Sequence, residues 1–65
     1  AEVARQIRLL MERSGLSETE FASRIGGGAQ ELSTYVAGTT SPSAALLVRM
    51  RRLSDRFARM RSARS

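Results

Sequence analysis

The sequence predicts an all-α domain, a bundle of four or five helices. Three observations carry this. Apolar residues recur at helical spacing in successive stretches of the chain. Glycines and hydroxyl side chains stand between those stretches, where helices stop and start. No Gly or Pro interrupts residues 43 to 65, which leaves room for one long last helix or two shorter ones. With 65 residues there is one domain, 1–65, and no second core.

The first helix covers residues 3 to 11. Val3, Ile7, Leu10 and Met11 recur at helical spacing, and Glu2, Arg5, Arg8 and Glu12 fall mostly elsewhere. Gly15 stands where a C-terminal glycine cap belongs. Ser17-Glu18-Thr19-Glu20 is a capping-box pattern, in which Ser17 bonds the amide of Glu20 and Glu20 reaches back. Phe21, Ala22 and Ile25 mark the buried face of a short second helix, and Gly26-Gly27-Gly28 ends it in a tight turn. No lysine follows that triplet to suggest a phosphate-binding loop. Ala29 to Ala37 forms a third helix, with Leu32, Tyr35 and Val36 on one face and Gly38 as its stop. Thr39-Thr40-Ser41 is a loop. Ser41 or Ser43 caps the fourth helix, with Pro42 acceptable at a first helical position. From Ala44 the chain either runs as one helix to about Ala63, or kinks and restarts with Ser54 as a cap. Residues Met60 to Ser65 are expected to fray.

Composition narrows the function. The chain has no Cys and no His. The usual zinc ligands, the commonest general base and the thiol nucleophile are all missing, so an enzyme is not expected, nor a metal or other cofactor. No apolar run approaches the roughly 20 residues of a membrane span, and no signal-peptide pattern is present. Absent cysteine fits a reducing cytoplasm. The chain starts at Ala1, as a processed protein or a piece of a longer one would. All eleven basic residues are Arg, and the net charge is +5. Residues 1 to 48 hold four Arg against five Glu, net −1, whereas residues 49 to 65 hold seven Arg against Asp55, net +6. A basic tail behind a near-neutral body points to a polyanion partner; the bland alternative is a solvated helix face.

Two short helices joined by a glycine turn match the helix-turn-helix description. The register adds more. Gly15-Leu16-Ser17-Glu18-Thr19-Glu20-Phe21-Ala22-Ser23-Arg24-Ile25-Gly26, followed by Leu32, Tyr35, Gly38 and Ser41-Pro42, resembles the Xre/Cro family of phage-repressor-like regulators over about 28 residues without a gap. The first and fourth helices extend the resemblance to roughly residues 3 to 53. The resemblance implies a lambda-repressor-like helix-turn-helix fold, with the motif at about 17–37 and an Arg-rich helix at about 43–63. It also implies double-stranded DNA as the partner, and a cytoplasmic, nucleoid-associated location.

In that family the outward face of the third helix enters the major groove. Gln30 is then the first candidate for base reading, since its amide can bond adenine at two atoms. Ser33 and Thr34 follow, and Ala29 suits a thymine methyl. Glu31 is awkward near phosphates. Ser17 and Glu18, at the start of the second helix, would aim free amides at a phosphate. Thr39 and Thr40 would grip the other strand, and Arg49 and Arg52 would approach the backbone from the fourth helix. Each of these is otherwise ordinary helix surface.

The sequence departs from the family at three places. Gly27 and Gly28 stand where a hydrophobic residue and then Ser or Thr are usual, so Gly28 offers only its backbone. Val36 and Ala37 replace charged or polar residues, and Arg51 replaces a small apolar one. The recognition surface is therefore poor in positive charge. Affinity must come from the Arg-rich helix, from a second subunit, or from both. Relatives bind two half-sites as dimers. Leu46, Met50, Leu53, Phe57 and Met60 form a heptad-like seam, and Met50, Leu53, Phe57 and Met60 are candidates for a homodimer interface. The same seam could instead pack on Val3, Ile7 and Leu10 within one chain. As an interface residue, Leu53 mutated to Asp should give a folded monomer.

The leading reading is a sequence-specific transcriptional regulator, a bacterial or phage repressor, with an autorepressing antitoxin as a close variant. A protein-docking module and a non-specific architectural DNA binder are the alternatives.

Overall fold

The described residues form four helices: α1 (Glu2–Ser14), α2 (Glu18–Ile25), α3 (Ala29–Ala37) and α4 (Ala44–Arg64). The computed structural model describes residues 2–64. Ala1, and Ser65 at the end of the stretch expected to fray, lie outside the described residues; Met60 to Arg64 are helical.

Each boundary has a local cause. Gly15, at φ +77°, takes the left-handed turn after α1, and its amide bonds the carbonyls of Met11 and Glu12. Just before it, Ser14 is buried and donates to the Met11 carbonyl while accepting from the Leu16 amide. These bonds carry α1 three residues past the apolar pattern. Ser17 caps α2 by accepting from the Glu20 amide at 3.2 Å. The return half of the expected capping box is absent: the Glu20 carboxylate accepts from Arg24 one turn on. At the other end, Gly26 bonds the Ser23 carbonyl and Gly27 bonds that of Ala22, the paired 5→2 and 6→1 closure of a glycine-ended helix. Gly38 and Thr39 close α3 in the same way, on Tyr35 and Thr34.

Ser43, of the two serines considered, caps α4 by accepting from Leu46. Pro42 accordingly lies one residue before the cap and not at the first helical position. The kink considered at Ser54 does not occur. Its side chain is fully buried and donates across the core to the Leu10 carbonyl of α1 at 2.9 Å, so α4 continues as one helix.

The core is Ile7, Phe21, Ala22, Ile25, Leu32, Met50 and Leu53, with Val3, Leu10, Tyr35, Leu46 and Phe57 among the half-buried residues around it. All four helices contribute. The α1–α4 contact is the most extensive, and it rises along both helices together: Ser54 meets Leu10, and Arg61 reaches the Arg13 carbonyl at 2.9 Å. Arg13 also pairs with Asp55. α3 packs on α1 and α2.

Candidate nucleic-acid interface

Leu32 sets the orientation of α3. It is buried, and Tyr35 and Val36 lean on the core beside it. At 100° per residue the opposite side of the helix carries Gln30, Ser33, Thr34 and Ala37, spaced i, i+3, i+4, i+7. Gln30, Ser33 and Ala37 are exposed and Thr34 is half-buried. Ala29 is exposed on one flank of this stripe and Glu31 on the other. The stripe itself bears no charge. Its chemistry is one amide, two hydroxyls and a methyl.

The front of α3 is unusual. Gly28 occupies the N-cap position with extended backbone (φ −84°, ψ 151°) and provides no side-chain acceptor for the first amides of the helix. Added bulk is tolerated there: a Cβ on Gly28 would touch only the Glu31 Oε1, at 3.8 Å, and one on Gly27 would touch nothing. Ser17 and Glu18 are exposed at the start of α2.

At the far end of α3 three threonines meet. Thr34 Oγ1 donates to the Glu31 carbonyl at 2.6 Å and lies 2.7 Å from Thr40 Oγ1. With the Thr34 proton used, Thr40 is the donor of that second bond. Thr39 donates its hydroxyl to the Thr34 carbonyl at 3.1 Å. The structure thus brings Thr34, Thr39 and Thr40 together, tying the loop to the helix. The Thr34 hydroxyl, read from sequence as a base contact, is already engaged in two bonds. Residues five and six positions apart across a turn leave no periodic signal, so this lock was not legible beforehand.

The basic residues of α4 divide. Arg49 Nη1 donates to the Ile25 carbonyl at 3.4 Å, where α2 presents the negative end of its dipole. Arg52 is exposed, as are Arg51, Arg56 and Arg59, and among the described residues none of these four has an acidic partner. On the other side of α4, Arg24 stacks over the Phe57 ring at 5.1 Å.

The seam considered for dimerisation also divides. Met50 and Leu53 are buried inside the single chain, and Phe57 is half-buried beneath Arg24. Met60 alone of the four is exposed, at 53 %. The intramolecular alternative accounts for the upper part of the seam, because Met50 and Leu53 are already covered by the core that α1, α2 and α3 supply.

A family model described as a helix-turn-helix domain matches residues 2–60, nearly the whole chain. No curated protein and no solved structure shows a significant match.

Proposed function

The chain belongs to the helix-turn-helix domain family, of the Xre/Cro-like type, and from that membership we propose that it is a sequence-specific regulator of transcription that binds duplex DNA, acting as a repressor. The observation that supports this best is the outward stripe of α3. Gln30, Ser33 and Ala37 stand exposed on a helix whose other side is locked by Leu32, Tyr35 and Val36. An uncharged stripe of this kind suits base edges better than phosphates.

In this reading α3 lies in the major groove. Gln30 bonds an adenine, Ser33 and Ala29 contact neighbouring bases, and the backbone at Gly28 faces a phosphate. Ser17 and Glu18 present the free amides of α2 to one strand, and the loop at Thr39 and Thr40 meets the other. Thr34 acts by holding that loop. Two copies bind a palindromic site, with Met60 and not Met50 or Leu53 available to their contact. No helix among the described residues is long and apolar enough to cross a membrane.

Selection from random duplexes tests this. A palindromic motif should emerge, bound far more tightly than its scramble. Gln30→Ala should then lose about 1 to 3 kcal/mol of preference at one base pair while keeping its affinity for scrambled DNA. Equal affinity for motif and scramble would leave only non-specific binding, and no binding at moderate salt would favour protein docking.

A further inference from the structure

We propose that Arg52, Arg56 and Arg59 form a second, sequence-independent surface for the phosphate backbone of duplex DNA, on the outer side of α4 and separate from the α3 stripe. The inference rests on the DNA-binding reading above.

The three arginines are spaced i, i+4, i+7, which keeps them within about 60° of one another around the helix axis. They span about 10 Å along it, roughly the axial length of three phosphates of one strand. All three are exposed. Among the described residues none of the three has a carboxylate partner. Asp55, the one acid in residues 49–64, pairs with Arg13.

Like charges three and four residues apart on a helix repel. An alignment of this kind is relieved by an anion that runs parallel to it. Guanidinium groups bond phosphate oxygens two at a time, which suits a repeated phosphate better than a lone carboxylate. The rest of the molecule needs such a source of affinity. Residues 1 to 48 carry a net −1, and the α3 stripe has no cation to release counterions. Arg49 lies on the same side of α4 but is tied to the Ile25 carbonyl, and Arg61 is tied to that of Arg13. Neither belongs to the proposed surface.

The test compares the wild-type chain with Arg52→Gln/Arg56→Gln/Arg59→Gln and with the matching triple Lys variant. Affinity is measured for the selected duplex and for its scramble across a salt series, after circular dichroism has shown all three proteins folded. Removing three phosphate contacts should lower the slope of log affinity against log salt by about 2 to 3. The ratio of motif to scramble affinity should stay unchanged. The triple Lys variant should keep the wild-type slope. A Gln variant with the wild-type slope, while the wild type still selects its motif, overturns the arginine surface and leaves the regulator reading standing. A Gln variant that loses the motif-to-scramble ratio also overturns it, because the residues would then read sequence. Wild-type protein that binds neither duplex overturns the regulator reading itself, and the arginine surface with it.

Discussion

Replacing Gly28 with serine should stabilise the domain. The position caps α3 with extended backbone that any residue adopts, and a Cβ there meets only the Glu31 carboxylate at 3.8 Å. Glu31 is the third residue of α3, where a capping box keeps its acid. Half of that box is therefore already built, and Gly28→Ser supplies the missing hydroxyl acceptor. Two effects contribute: serine restricts the unfolded chain, and its hydroxyl caps the helix. Together they make serine better than glycine at an N-cap by a few tenths of a kcal/mol, with the returning Glu31 bond in addition. The sum is about 0.5 kcal/mol, which in a domain this small raises the melting temperature by about 2 to 4 °C. Thermal unfolding followed by circular dichroism measures it. Gly28→Ala separates the two effects: it restricts the unfolded chain equally but is a much poorer cap, so its melting temperature should stay near the wild-type value. If Gly28→Ala stabilises as much as Gly28→Ser, capping is not the cause. If both destabilise, α3 does not begin where its hydrogen bonds place it.

Two further outcomes follow from the core and the turns. Leu53→Asp should abolish folding in native buffer, seen as loss of helical circular dichroism, because a charge buried beside Met50 costs about 4 kcal/mol or more, comparable with the whole stability of a small domain; a folded monomeric or dimeric Leu53→Asp would refute the buried placement. Gly38→Ala should cost about 1 kcal/mol or more, since φ is +83° there, whereas Gly27→Ala should be neutral or slightly stabilising because its backbone is ordinary and the space is open. Urea midpoints compare the pair, and equal losses would contradict the turn geometry.

What could be read ahead of the structure was whatever neighbouring residues decide. α3 was legible to the residue, because Gly28 and Gly38 bracket a run whose apolar spacing is unambiguous. Ser17 was legible as a cap because its acceptor role spans three positions. The choices left open, or missed, depended on distant partners. A serine inside a polar-flanked run looks the same whether it caps a new helix or bonds a neighbouring one, and only the Leu10 carbonyl, 44 residues away, decides for Ser54. Likewise the 4-3-4-3 spacing of Leu46, Met50, Leu53, Phe57 and Met60 fits a partner chain or α1 equally well. The burial of Met50 and Leu53 in the shared core is a property of the closed fold. In the candidate interface, the exposed places of Gln30 and Ser33 followed from the period of α3. The engagement of Thr34 with Thr40 did not, because it crosses a turn.

The pairing of the first helix with the last has a consequence for how the reading helix can open. α2 and α3 together present Phe21, Ala22, Ile25 and Leu32, and these are covered in part by Met50 and Leu53 from α4 and by Ile7 from α1. A hairpin of 8 and 9 residues is too short to keep its helices alone. Closing the chain through Ser54 and Leu10 costs about 3 kcal/mol of loop entropy, which must be met before those helices gain their cover. The helices of the motif should therefore not outlast the pairing of α1 with α4. Amide exchange at Leu32 should report a free energy no higher than at Met50, and a Leu32 amide protected more strongly than Met50 would contradict this dependence.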